Sequence, residues 1–316
     1  MSSTPTLNKH TALGFQLQPL EGTEVSDDIL WVPFNSTLDF KIKTNRTQYR
    51  QADYSDYLHL LYSEGTWFEG GAPITLIPDA TVITALHTWI TARDSYNQGR
   101  FASVFMYDDA RGIRAAMDVK VTEAMYRFEK GGLVGLELNL LGKKPGAASP
   151  AVNMPTARRT GPFLWKETAV TFDYGGVGAL AATVDIESAE VRIDNHVEGA
   201  AEGMRITATS GQYPQKLYNI AGIDCTGSFS RDFLDSNVYD QFVLAAEDDF
   251  DTDTDGGIQF VMTRGGVTAT LLVNRFQYIG DHGGDPSGSN EGRMVDSVEW
   301  QGLGNDAGTV APLTLS

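Results

Sequence analysis

The chain resembles itself. Shifting the 316-residue sequence by 156 positions places Val82, Ile83, Leu86, Trp89 and Ile90 on Val238, Tyr239, Phe242, Ala245 and Ala246, apolar again at all five. The same shift lays Val104-Phe105-Met106 on Phe260-Val261-Met262. A shift of 154 brings Gly112-Ile113 onto Gly266-Val267, and 152 brings Val121 and Tyr126 onto Val273 and Tyr278. At 162, Glu137, Asn139 and Gly142 meet Glu299, Gln301 and Gly304. The offset drifts in turns, chiefly a long loop at 281–292, where inserted backbone stays hydrated. A unit repeated in one order reads as a tandem duplication: residues 1–145, a linker at 146–160, and 161–316. The linker falls in GKKPGAASPAVNMPTARRTG, rich in Pro and small residues and expected to be extended.

The class of the unit follows from its period. Ile113, Ala115, Met117, Val119 and Val121 alternate with Arg114, Ala116, Asp118, Lys120 and Thr122. That is a strand with one face packed and one wet. Val134, Leu136, Leu138 and Leu140 repeat the pattern, and Lys130-Gly131-Gly132 joins the two runs as a hairpin. Further strands fit 37–43, 183–193, 204–209, 258–263, 267–278 and 294–301. The Val82-to-Ile90 stripe instead has helical spacing, with Asp79 placed to cap it; Asp235 or Ser236 would cap its copy. The expected fold is therefore mainly β, a sandwich or barrel with one flanking α-helix per unit, in two tandem copies.

Composition narrows the function. The 41 acids outnumber 24 bases, a formal charge of −17, which disfavours grip on nucleic acid through phosphates. The excess is lopsided: 17 acids against 14 bases in 1–150, and 24 against 10 beyond. Solubility explains such a surface, and so does repulsion of a polyanion. No apolar run is long enough for a membrane helix, and the N-terminus reads without a secretory signal. A lone cysteine, Cys225, on an apolar strand reads as buried structure, and a reducing cytosol is the expected site of synthesis.

No catalytic motif stands out. His10, His59, His87, His196 and His282 lack metal-binding spacing, with His87 read as a helix boundary residue, and no nucleophile elbow or nucleotide loop occurs. Asp251, Asp253, Asp255 and Gly256 match the first half of a calcium loop, but Met262 stands where a bidentate Glu is required. The run Glu247–Gly256 therefore reads first as a solvated acidic loop from helix to strand, matching Ala92–Gly99 in the other copy. No cofactor is expected.

A strand block, a flanking helix and a long hairpin, doubled in about 300 residues, resembles the tail tube proteins of long-tailed bacteriophages. The opening Leu13-Gly14-Phe15 through Glu21-Gly22-Thr23-Glu24-Val25 and the closing strand Leu136–Gly142 resemble the two-domain members of that family. The resemblance implies a non-enzymatic virion protein, assembled in the host cytoplasm into the tail. Three chains would complete a pseudo-six-fold ring, and rings would stack into a tube. Partners implied are the chain itself, a tail terminator, a baseplate or tip initiator and a tape measure protein. Genomic DNA would pass without tight binding, and no membrane is involved. Candidate lumen-facing residues are Asp118, Lys120, Thr122, Glu137, Asn139, Asp296, Glu299 and Gln301. The rival readings are a calcium-dependent two-domain β-sandwich binding module and another phage virion β-protein.

Overall fold

The computed structural model describes residues 11–25, 27–33, 39–49, 60–108, 112–146, 161–173, 180, 182–183, 186–203, 213–232, 256–279, 295–304 and 313–316. Up to residue 146 the elements are β1 (Thr11–Leu17), β2 (Leu30–Val32), β3 (Lys41–Tyr49), β4 (Leu60–Thr75), α1 (Ala80–Thr91), β5 (Ala102–Asp108), β6 (Gly112–Glu129) and β7 (Gly135–Gly146). From residue 161 they are β8 (Thr168–Asp173), β9 (Ala182–Thr183), β10 (Ile186–Asp194), β11 (Asp224–Asp232), β12 (Gly256–Arg264), β13 (Val267–Ile279), β14 (Val295–Gly302) and β15 (Leu313–Leu315).

The helix forms where its sequence says it should. Asp79 is extended and its carboxylate accepts from the Thr81 and Val82 amides at 3.1 and 3.2 Å, satisfying donors that a first turn leaves free. Val82, Ile83, Leu86, Trp89 and Ile90 are all buried. Trp89 stacks on Phe15 of β1 at 5.3 Å and donates its indole N–H to the Val119 carbonyl of β6. The matching helix over Val238–Ala246, the linker from 147 and the strand at 204–209 lie outside the described residues.

All strands pair antiparallel, and the two halves follow the same path. In the first half the order is β2-β1-β5-β6-β7-β4-β3. In the second it is β9-β8-β12-β13-β14-β11-β10. β5 and β12 carry a register shift at corresponding places, Ala102/Val104 in β5 and Gly256/Ile258 in β12. Among the described strands one ladder joins the halves: β10 lies along the end of β6, Ser188 opposite Glu129 through Asp194 opposite Glu123. A single core runs through both halves, with α1 against β6, β13 and β15 and Phe128 stacked on Phe260 at 4.2 Å.

Two expectations need correction. The sheet is open, whereas a barrel was one of the expected forms. Closure requires the outermost strands to pair with each other, and here the path ends on the short strands β2 and β9. The unbroken alternation over 112–122 also fails. The core side of β6 is Ala116, Val119, Val121, Ala124, Tyr126 and Phe128, while Ala115 joins a separate cluster with Ala12, Ile29, Trp31 and Phe105. Register shifts beside β5 and between Val121 and Glu123, with Asp118 at φ 53°, insert residues that exchange the two faces.

Candidate functional site

Beyond its second bulge, β6 belongs to a polar sheet face that crosses both halves. Thr122, Glu123 and Arg127 of β6 flank Glu137 and Asn139 of β7 and Glu190 and Arg192 of β10, while alternate residues enter the core. Arg127 bridges Glu137 at 3.1 Å and Glu190 at 3.2 Å, and Arg192 pairs with Glu123 at 2.5 Å. Asn139 donates to Glu123 at 3.1 Å, and Thr122 donates to the Asn139 carbonyl at 3.1 Å. Ser188 and Ser230 continue the polar row from β10 to β11, and Ser297, Glu299 and Gln301 carry it onto β14. Both arginines are thus held by glutamates. Such half-exposed pairs add little stability, but they occupy the guanidinium groups that could otherwise bind phosphate.

Nearer the middle of β6 the same side is roofed by loops. Asp118 and Lys120 are only 2% and 1% exposed. The Asp118 carboxylate accepts the Gly22 amide at 2.6 Å. The Lys120 ammonium donates to Asn219 Oδ1 at 2.7 Å and Gln98 Oε1 at 3.3 Å, and lies 4.7 Å from the Phe101 ring centroid. Lys143 approaches the same ring at 5.4 Å while binding Glu21 and the Gln215 carbonyl. Burial, reinforced by Arg93, pushes the Lys120 ammonium down to about 8 from its ordinary 10.5.

Two asparagines of the second half clasp the first half here. Asn195 donates from Nδ2 to the Ile90 and Val121 carbonyls at 3.0 and 2.9 Å and accepts from Arg93, satisfying an acceptor at the end of α1. Asn219 accepts the Gly99 amide at 2.9 Å, donates from its side chain to the Asn195 carbonyl at 2.7 Å, and donates its backbone N–H to Gln98 Oε1. Gln98 and Asn97 return bonds to the Asn219 and Ala221 carbonyls, both at 3.2 Å. The helix-to-strand loop of one half is thereby held by the segment that precedes β11 in the other.

Residues 36–302 match the family model for the phage tail tube protein. The chain belongs to the phage tail tube protein family. No curated protein matches it. Membership makes it a structural protein of a phage tail tube, located in the virion tail and self-assembling alongside other tail components.

Within this tail tube protein, the sequence-derived lumen candidates separate. Thr122, Glu137, Asn139, Glu299 and Gln301 share the polar face. Asp296 pairs in register with Arg231 of β11, and its side chain lies outside the described residues, as do Asp251, Asp253 and Asp255. Asp118 and Lys120 do not share that exposure, because loops 18–25 and 213–220 cover them. Sequence reasoning missed Arg127, Glu190 and Arg192, although their spacing in strand-like runs was a usable signal. It also missed Asn195 and Asn219, for which no local signal exists. Cys225 is buried in β11, its thiol pushed up to about 12 by desolvation. His87 is half-buried, and desolvation lowers its pKa.

Proposed function

We propose that the chain is the major tube subunit, built of two tandem tube domains at 1–145 and 161–316, and that three copies close a pseudo-six-fold ring. The supporting observation is the strand seam between repeated paths among the described residues. In the second half the last strand, β10, lies on β6. Its counterpart in the first half, β3, pairs with β4 alone among the described strands, and the counterpart of β6 is the β13 end at Gln277–Ile279, which pairs with β14. A sheet edge left unpaired invites another chain. Placing β3 of one copy on β13 of the next repeats the internal seam and closes the sheets into a barrel around a bore.

The polar face then lines that bore. Counterion release makes every free phosphate–cation contact adhesive, so a passing genome is best served by arginines already bound to glutamates and by an acidic balance. Stacked rings give the channel, with terminator, initiator and tape measure proteins at its ends and inside. The test is a Glu137→Lys/Glu299→Lys variant assembled into virions. Tube formation should persist while DNA ejection slows. Unchanged ejection, with both lysines located in the bore, would refute the repulsive lining.

A further inference from the structure

We infer that the cavity between residues 18–21 and 94–101 of the first half and residues 216–218 of the second is a binding site for a small organic carboxylate, its charged group beside Lys120 and its apolar body against Phe101. The inference is independent of the ring reading, since every residue involved belongs to one chain.

The cavity holds about 380 Å³, within the range of small-molecule sites. Both halves build it. Leu20 and Phe101 come from the first, Leu217 and Tyr218 from the second, and together they make the lining mainly apolar. Lys120, almost wholly buried, brings a charge to that lining, with its ammonium 4.7 Å from the Phe101 ring centroid.

The charge there is unbalanced. Lys120 is held by the neutral amide oxygens of Asn219 and Gln98. A Cβ at Gly99 would lie 3.0 Å from Arg93 Nη1, so a second guanidinium cation backs onto the cavity wall. Arg93 donates to Asn195 Oδ1 and to the Ile90 and Ala92 carbonyls, and its Nε is buried without an acceptor. Neither cation makes an ion pair among the described residues. The carboxylates of the lining are committed elsewhere: Asp94 accepts the Tyr96 and Gln98 amides, both at 2.8 Å, and Glu21 binds Lys143. Arg100 and Lys216 add two exposed cations. Buried cations are ordinarily compensated by opposite charge. In a chain of net charge −17, cations gathered at one cavity with neutral oxygens for partners favour an incoming anion. Burial, reinforced by Arg93, lowers the Lys120 ammonium to about 8, and an anion beside it would raise it again.

The walls select the class of anion. A hydrated phosphate gains nothing from leaving water beside Leu20 and Leu217, whereas a carboxylate on an apolar body buries that body against them. Gln18 also lines the cavity, and its buried Oε1 has no donor, a cost that a ligand hydroxyl would relieve.

The test titrates benzoate into the dilute full-length chain by calorimetry, with inorganic phosphate for comparison. Benzoate should bind with a dissociation constant below about 1 mM and raise the melting temperature. Because Lys120 loses its proton near 8, affinity should fall about tenfold between about pH 7 and 9. Lys120→Met should weaken binding at least about tenfold at pH 7 and flatten that profile. Arg100→Ala/Lys216→Ala, at exposed positions that leave the fold intact, should weaken it by about threefold. Where Lys120→Met does not fold, the exposed pair and the wild-type pH profile decide. No binding of benzoate at millimolar concentration, a flat wild-type profile, or binding unchanged in either variant overturns the site. Phosphate binding as tightly as benzoate overturns the class of ligand.

Discussion

The seam at β6 and its proposed counterpart at β13 are built from matching strands, and they differ in what each has available. At β6, the last strand of the second half supplies a continuous partner, and its residues Ala189, Val191 and Ile193 enter the common core. At β13, the described pairing with β12 reaches Phe276, and Gln277–Ile279 pair with β14. In the proposed ring, a fused duplication would satisfy one seam by covalent tethering and leave the other to a neighbour. The tether makes the first contact effectively intramolecular, whereas the second depends on concentration.

The sharpest way to break this contrast is proline substitution on each side of it. Val191→Pro in the filled seam removes a ladder donor and a buried side chain, a loss of about 3 kcal/mol or more. The dilute chain should melt much earlier or fail to fold. Ile279→Pro places the same residue at the proposed ring seam, at the end of β13, where Ile279 is 41% exposed. Melting of the dilute chain should move by only a few degrees, and ring assembly by sedimentation should be lost.

Lys120 sharpens the comparison from inside the roofed region that the second half covers. Its ammonium is buried at a cost on the order of 3 kcal/mol, judged from the fall from 10.5 to about 8. The folded state releases this proton first, so between about pH 8 and 10.5 the unfolded state binds more protons and stability rises with pH. Lys120→Met should abolish that rise. At pH 7 it should stabilise the chain by on the order of 1 kcal/mol after its lost hydrogen bonds are counted. Denaturant melts across the alkaline range read both effects.

The smallest effect belongs to the polar face. Arg127→Ala opens the bridge between Glu137 and Glu190, all three partly exposed, and should cost less than about 1 kcal/mol in urea titrations.

How much of this was legible in the sequence depended on how local its cause was. The cap and stripe of α1 were readable because Asp79 and the five buried residues lie within one helix. The hairpins β6–β7 and β12–β13 showed through their period of two. β4 did not, because LLYSEGTWFEGGAPIT mixes glycines and a proline into its faces, and Gly70 adopts a φ of 147° against the Asp39 carbonyl. The bulges in β6 leave no mark on composition, so Ala115 and Met117 looked like neighbours of Val119. The side of the strand carrying Lys120 was readable as polar. Its roof was not, since Asn219 is 99 positions away and Gly22 is 96 from Asp118.

A helical reconstruction of assembled tubes at side-chain resolution tests the central claim most directly. The account predicts three chains per ring, β3 of each copy on β13 of the next, and Glu137 and Glu299 facing the bore. A ring of six chains, or one closed through strands other than β3 and β13, would contradict it.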